Sequence, residues 1–268
     1  MRAMARNSAN DDRKEPLPEH EARALPYEPD ALQGISRQSV EWHHDSYYAS
    51  LLKGRAATEK KLAEMHEKDD WTDIRGVKRN ESHNANGQVL HEIYFAILGG
   101  DGEADKDLPV RVRIETDFGS FDAWQAELKA VAAQARGWAI TCWDPSDGRL
   151  HVYLTDGHDI GAVWGAQPII PLDVSEHAYY YDHGPNRAAY VEAFLANLNW
   201  KAIDQYYRRA AGLAGREPEA FVHALVIEYP PGAGIGWHRD RPVFGDVCHA
   251  LIVVSYWTPG SAHSQAAA

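Results

Sequence analysis

The sequence predicts an α+β protein, in which an N-terminal antiparallel helical hairpin is followed by a small three-stranded antiparallel sheet flanked by helices. Two observations support this fold class. Apolar residues recur at helical spacing through residues 35–65 and again through residues 86–98, which indicates two long helices. Beyond residue 100, short apolar runs alternate with turn signals and amphipathic segments, a mixture typical of an α+β domain.

The first predicted helix begins after Ser36, a residue type that caps helix N-termini. The segment 76–87 is polar and rich in Asn, so we expect it to be a connector. The second helix then ends at Gly99 and Gly100, a typical C-terminal stop. One stripe of the first helix holds Val40, His43, His44, Tyr47 and Leu51, and one face of the second holds Gly87, His91, Phe95 and Leu98.

The middle of the chain is predicted to contain an Ala-rich amphipathic helix, three strands and three later helical segments. A hairpin turn signal, Asp-Pro-Ser-Asp-Gly, separates the first two strands at residues 144–148. The first helix covers residues 121–136, the strands cover 138–143, 150–154 and 169–174, and the later helical segments cover 176–181, 187–198 and 200–210.

Composition limits the function. The formal net charge is −12, which argues against sequence-independent binding to nucleic acid and means that an anionic substrate needs local positive charge. No apolar run has transmembrane length, so no membrane partner is expected. Residues 1–24 are charged and lack the apolar core of a secretory signal; we expect a disordered tail and a cytoplasmic protein. Cys142 and Cys248 are too few for a disulfide scaffold.

A candidate metal site follows from four residues. Asp173 and His177 stand one helical turn apart, directly after an apolar run, and His43 and His91 lie on the inward faces of the two long helices. Borderline transition metals accept such oxygen and nitrogen ligands. Taken singly, the histidines are also compatible with core or surface positions, and the Asp-His pair with a surface ion pair. Spacing alone therefore leaves a site of three imidazoles and one carboxylate as a hypothesis.

Several motifs in one order make residues 25–210 resemble the iron/manganese superoxide dismutases. The resemblance is specific because each motif falls in the family's order along the chain. The matching stretches are Leu-Pro-Tyr-Glu-Pro-Asp-Ala-Leu at 25–32, His43, Leu-His-Glu-Ile-Tyr-Phe at 90–95, Asp-Phe-Gly-Ser-Phe-Asp at 117–122, Gly-Trp at 137–138, Leu-Asp-Val-Ser-Glu-His-Ala-Tyr-Tyr at 172–180 and Asn-Trp at 199–200.

The resemblance implies a redox enzyme. Iron or manganese would be the cofactor, and superoxide the substrate, converted to dioxygen and hydrogen peroxide. The implied metal ligands are His43, His91, Asp173 and His177. The resemblance further implies a homodimer joined through Glu176 and Tyr180, and a substrate funnel at which Arg187 supplies positive charge.

Departures from the family pattern leave two roles open. The family's gateway tyrosine lies eight residues after the first ligand, where this chain has Leu51; Tyr47 or Tyr48 is a candidate replacement. The family also has a hydrogen-bond donor just outside the metal ligands, and the corresponding residue here is His158. The equally simple alternative is that His158 is an exposed loop histidine.

The C-terminal zone, residues 211–268, forms a fourth segment after the tail (1–24), the helical-hairpin domain (25–100) and the α+β domain (101–210). A predicted strand at 221–229 precedes His238-x-Asp240, two of the three ligands of a facial metal triad. The stretch 216–246 resembles the iron/2-oxoglutarate dioxygenases that repair alkylated nucleic-acid bases. Because no suitable third histidine or later arginine follows, we expect a truncated, non-catalytic fragment.

Three functions remain after these observations. The leading prediction is a superoxide dismutase that uses iron or manganese and binds neither nucleic acid nor membrane. The alternative is an inactive or purely metal-binding dismutase-like protein. A dioxygenase fragment is the third, and it would need the missing half of its fold.

Overall fold

The computed structural model describes residues 20–161 and 163–212, and these confirm the predicted α+β class. In chain order the elements are α1 (Arg37–Glu41), a π-helical segment (Trp42–Tyr48), α2 (Ala49–Lys68), α3 (Ile74–Ala96), α4 (Pro109–Phe118), α5 (Phe121–Gln134), β1 (Trp138–Asp144), β2 (Arg149–Thr155), β3 (Gln167–Asp173), α6 (Glu176–His183), α7 (Arg187–Ala196) and α8 (Trp200–Ala210).

The first helix begins where the sequence predicts. The hydroxyl oxygen of Ser36 accepts a hydrogen bond from the backbone N–H of Ser39 at 3.2 Å, which satisfies a donor that the first helical turn leaves free. The helix continues through the π-helical segment into α2, and α2 packs against α3 as a helical hairpin.

The predicted connector at residues 76–87 is wrong, because this segment forms the first half of α3. The true connector is shorter and lies between Lys68 and Ile74. Asn and Ser are poor helix formers in isolation, yet packing of α3 on α2 outweighs that preference. Asn86 also turns its side-chain amide back to donate to the carbonyl of Ser82 at 2.9 Å within the helix.

The sheet has the strand order β2-β1-β3, and both pairings are antiparallel. In the register of β1 and β3, Trp138 lies opposite Asp173, so the last residue of β3 reaches the interior beside a buried indole. The helix α4 was not predicted. Its start signal is Pro109 in the first turn, a position where proline costs no hydrogen bond.

The core lies between the hairpin and the sheet. Helix α3 packs on β3, and α5 covers β1 and β2 from the other side. Helix α7 ends at Ala196, two residues before its predicted end, while α8 matches its prediction. The largest fully buried side chains include Trp124, Trp138, Tyr48, Tyr94, Tyr190 and Phe194.

The predicted disordered tail is too long at its C-terminal end. His20 contacts Glu59 at 2.9 Å, and the guanidinium of Arg23 lies 2.9 Å from the carboxylate of Glu92, so this segment is held against the hairpin. Residues 1–19 lie outside the described part of the chain. The same is true of 213–268, which includes the predicted strand 221–229 and the His238-x-Asp240 motif. Among the described helices, none has the length and apolar character needed to cross a membrane.

Candidate metal centre

Four elements bring the predicted ligands together. His43 lies on the π-helical segment, His91 on α3, Asp173 at the end of β3 and His177 in the first turn of α6. One potential ligand atom from each of the four lies within 4.8 Å of the others. The structure therefore joins residues that are separated by more than a hundred positions in the chain.

The three imidazoles converge on one carboxylate oxygen. The distances to Oδ2 of Asp173 are 2.9 Å from Nε2 of His177, 3.2 Å from Nε2 of His43 and 3.5 Å from Nε2 of His91. The other oxygen, Oδ1, accepts the backbone N–H of Ser175 at 2.9 Å, which fixes the orientation of the carboxylate.

The unpaired nitrogens fit a metal ion. Nδ1 of His91 lies 2.7 Å from the carbonyl oxygen of Gly87, and a carbonyl only accepts, so Nδ1 carries the proton and Nε2 keeps its lone pair. The Nε2 atoms of His43 and His91 are buried and have no hydrogen-bond partner within the described residues. Buried polar atoms are rarely left unsatisfied, and a cation among three nitrogens and a carboxylate would satisfy them.

The protonation states favour the same conclusion. Burial lowers the pKa of His43 and holds the pKa of His91 well below its usual value, so both rings are neutral near pH 7. Burial opposes ionisation of Asp173, but the facing His177 and His43 rings outweigh it and hold the pKa of this carboxyl well below its usual value. Neutral imidazoles and an ionised carboxylate are the forms that bind metals.

His158 lies beside this centre and is only 4% exposed, so the alternative of an exposed loop histidine is wrong. The indole N–H of Trp138 donates to its Nδ1 at 3.0 Å, and its Nε2 lies 3.2 Å from the hydroxyl oxygen of Tyr47. Burial lowers the pKa of His158 to about 4, so the ring is neutral near pH 7. The sequence indicates Trp138 only as part of a Gly-Trp motif and assigns it no role.

The two candidate tyrosines point to different partners. The ring of Tyr47 stacks on His177 with 3.7 Å between ring centroids, and its hydroxyl reaches His158. The hydroxyl of Tyr48 instead donates to Glu92 at 3.4 Å and accepts the backbone N–H of Arg23 at 3.5 Å. Tyr47 is therefore the tyrosine whose hydroxyl joins the environment of the metal centre.

The remaining predicted residues, Arg187, Tyr180 and Glu176, have surroundings of their own. The guanidinium of Arg187 donates to the carbonyls of Ala132 and Ala135 at the end of α5 and to the hydroxyl of Tyr179. Tyr180 is 54% exposed, and Glu176 is exposed in the first turn of α6, next to the ligand His177.

Within the described residues, the fold and the site together define an α+β protein with a buried cluster of three imidazoles and a carboxylate that could hold a metal ion. Two family profiles match the chain. The alpha-hairpin domain of the iron/manganese superoxide dismutases matches residues 19–99, and the C-terminal domain of the same family matches residues 106–206.

Curated relatives agree with the profiles. "Superoxide dismutase [Mn] 2" of Halobacterium salinarum is 40% identical over 192 residues, which cover 71% of this chain and 96% of the relative. "Superoxide dismutase [Mn] 1" of Haloferax volcanii is 38% identical over 198 residues, covering 74% and 99%. "Superoxide dismutase [Fe]" of Aquifex aeolicus is 35% identical over 188 residues, covering 68% and 88%. The chain belongs to the iron/manganese superoxide dismutases, as its motifs predicted.

Proposed function

We propose that this protein converts superoxide to dioxygen and hydrogen peroxide at a single iron or manganese ion. The observation that carries the proposal is the convergence of three Nε2 atoms on Oδ2 of Asp173, at 2.9–3.5 Å. Relatives named for manganese and for iron both align over most of the chain, which supports either metal as the cofactor. Zinc is unsuitable because it does not change its oxidation state.

The residues at and near the site would have different roles. His43, His91, His177 and Asp173 would hold the metal, which supplies one-electron oxidation and reduction when bound. The neutral ring of His158 presents its Nε2–H beside the ligands and provides a fixed hydrogen-bond donor. Tyr47 covers one side of His177 with its ring. We keep Arg187 as the proposed source of positive charge for the anionic substrate.

The decisive experiment compares metal content with turnover. The protein is purified without added metal, analysed for iron, manganese and zinc, and assayed for superoxide consumption before and after loading with each metal. A dismutase consumes superoxide in proportion to its iron or manganese content. Stoichiometric metal without any turnover would favour the alternative, a metal-binding dismutase-like protein.

We also propose a homodimer joined through Glu176 and Tyr180. These residues flank His177, whose side chain is 25% exposed and thus the most accessible of the four ligands. Trp42 and Tyr181, both largely exposed, contact each other edge to face at 4.9 Å and extend an apolar surface beside Tyr180. Light scattering of the wild type and of Tyr180→Ser tests this proposal; a fully active monomer would contradict it.

Two further parts of the proposal concern location and the C-terminal segment. We propose a cytoplasmic location, and cell fractionation tests it. We propose that residues 211–268, with their dioxygenase-like motif, take no part in dismutation. All four proposed metal ligands precede residue 211, which supports this separation.

A further inference from the structure

His158 lies in a loop between β2 and β3, whereas the four proposed ligands lie on helices or at the end of a strand. Its two hydrogen bonds require the ring to stand in one place, 3.0 Å from the indole nitrogen of Trp138 and 3.2 Å from the hydroxyl of Tyr47. Glycines flank the histidine at positions 157 and 161, and glycine gives the backbone more freedom than any other residue. Contacts with residues outside the loop must therefore hold the loop in place.

The described structure ties the loop to the first half of α3. The hydroxyl of Ser82 donates to Oδ2 of Asp159 at 2.9 Å, across 77 positions of sequence. Nδ1 of His83 lies 3.7 Å from Oδ1 of the same carboxylate. The side chain of Asp159 is 17% exposed, and hydrogen bonds to an ionised acceptor in such a partly buried position are stronger than those between neutral groups.

The same face of α3 also receives the histidine ring. The ring of His83 lies 4.6 Å from the ring of His158, measured between centroids. One turn further along α3, a Cβ built on Gly87 would stand 2.9 Å from Cδ2 of His158, so glycine leaves the space that the imidazole occupies. The segment 82–87 therefore forms both an attachment point and a notch for the loop.

We propose that the Ser82–Asp159 hydrogen bond is a latch that positions His158 at the metal centre. Ser82 and Asp159 are positioning residues, and they act only through the loop. This inference rests on the proposed role of His158 in dismutation, but its geometric part concerns the protein with or without metal. Ser82 lies in the segment 76–87, which the sequence predicts to be a connector. Its hydrogen bond to Asp159 therefore depends on the helical form of residues 82–87.

Two readouts test the latch. The first is the ¹⁵N spectrum of histidine-labelled, metal-free protein, in which the latch predicts a single His158 signal with a protonated Nε2 and a bare Nδ1. The second is the ratio of kcat to metal content in the iron- or manganese-loaded enzyme. Ser82→Ala and Asp159→Ala are each expected to shift or broaden the His158 signal and to lower kcat per metal about tenfold, with metal content unchanged.

Matched variants separate positioning from general damage. Ser82→Thr keeps the hydroxyl and is expected to restore both readouts, while Thr116→Ala removes another helical hydroxyl, bonded only to the carbonyl of Val112, and should change neither. The double variant Ser82→Ala/Asp159→Ala should be no worse than Asp159→Ala alone, because that variant already removes the Ser82 bond together with the contact to His83.

Wild-type spectra and turnover in both single variants would overturn the latch, and so would additive losses in the double variant. If the loaded wild type consumes no superoxide, the proposed function fails. The ¹⁵N spectra would still decide whether the latch holds His158.

Discussion

Trp138 donates its indole N–H to Nδ1 of His158 at 3.0 Å, and this bond determines which nitrogen of the imidazole carries the proton. An indole nitrogen only donates, so Nδ1 of His158 must accept and the proton of the neutral ring must lie on Nε2. It follows that Nε2–H donates to the hydroxyl oxygen of Tyr47, and the proton of that hydroxyl remains available to another acceptor.

Replacing Trp138 with Phe should release this control. The variant frees Nδ1 to take the proton, so we expect about a tenfold fall in kcat per bound metal. Loss of the buried indole also leaves a small cavity, and a lower free energy of unfolding by about 1–3 kcal/mol is expected. Turnover, metal analysis and denaturant unfolding measure the three quantities. Unchanged turnover per metal in a folded variant would show that the tautomer of His158 is irrelevant.

Replacing His91 with Ala should abolish metal retention and activity together, because it removes a fully buried ligand whose Nε2 has no other partner in the described structure. His44→Gln is the matched control. His44 is also buried, in the π-helical segment next to His43, but its Nε2 lies 2.8 Å from the carbonyl oxygen of Arg23 and is not among the converging ligand atoms, and glutamine retains a donor for that carbonyl. Stoichiometric metal in the His91 variant, measured by elemental analysis, would contradict the ligand assignment.

Local sequence pattern accounts for only part of this site. The four-residue spacing of Asp173 and His177 predicts their proximity, but the two residues are joined by a strand-to-helix turn and not by a helical turn, because Asp173 ends β3 and His177 lies in the first turn of α6. His43 and His91 could be assigned to the site only from the order of motifs along the chain, because no local sequence pattern predicts that two helices meet a strand. Residues 76–87 are helical because of tertiary packing, and helix propensity alone does not predict that packing. The burial of His158 could not be predicted from the sequence either, because it requires the notch at Gly87.

Gly87→Ala tests that notch directly. The added Cβ would stand 2.9 Å from both Cδ2 of His158 and Cδ1 of Leu51, closer than such contacts are tolerated, so a side chain must move. Alanine is the better helix former, so helix propensity alone would make the variant more stable. We expect lower turnover per metal without loss of the ligands. Gly76→Ala is a suitable control on α3 itself, where the nearest atoms belong to the side chain of Asp73 and not to His158 or Leu51.

Shortening the chain to residues 1–210 should leave superoxide turnover per metal unchanged. The four proposed ligands, Tyr47 and His158 all lie before the new terminus, and α8 remains complete. The chain of residues 1–268 should also release no succinate from 2-oxoglutarate in the presence of iron, because a facial triad needs a third ligand beside His238 and Asp240. Loss of turnover in the shortened chain, or oxoglutarate-dependent succinate release by the full chain, would contradict the separation of the two parts.

Tyr47→Phe and Tyr48→Phe form a matched pair that distinguishes a role in turnover from a role in stability. In the first variant Nε2–H of His158 loses its acceptor while the ring stacked on His177 remains, so turnover per metal should fall about tenfold with little change in stability. In the second, Tyr48 loses its bonds to Glu92 and to the backbone N–H of Arg23.

The Tyr48 variant should therefore be less stable, by about 1 kcal/mol, while its turnover per metal stays at the wild-type level. Steady-state kinetics on metal-normalised enzyme and urea unfolding give the two values for each variant. If Tyr48→Phe lowers turnover and Tyr47→Phe does not, then the hydroxyl that serves the centre has been assigned to the wrong tyrosine. If Tyr47→Phe does lower turnover, Leu51→Tyr can be added to that variant; it places a hydroxyl eight residues after His43 and should recover turnover if Tyr47 substitutes for the tyrosine that the family has there.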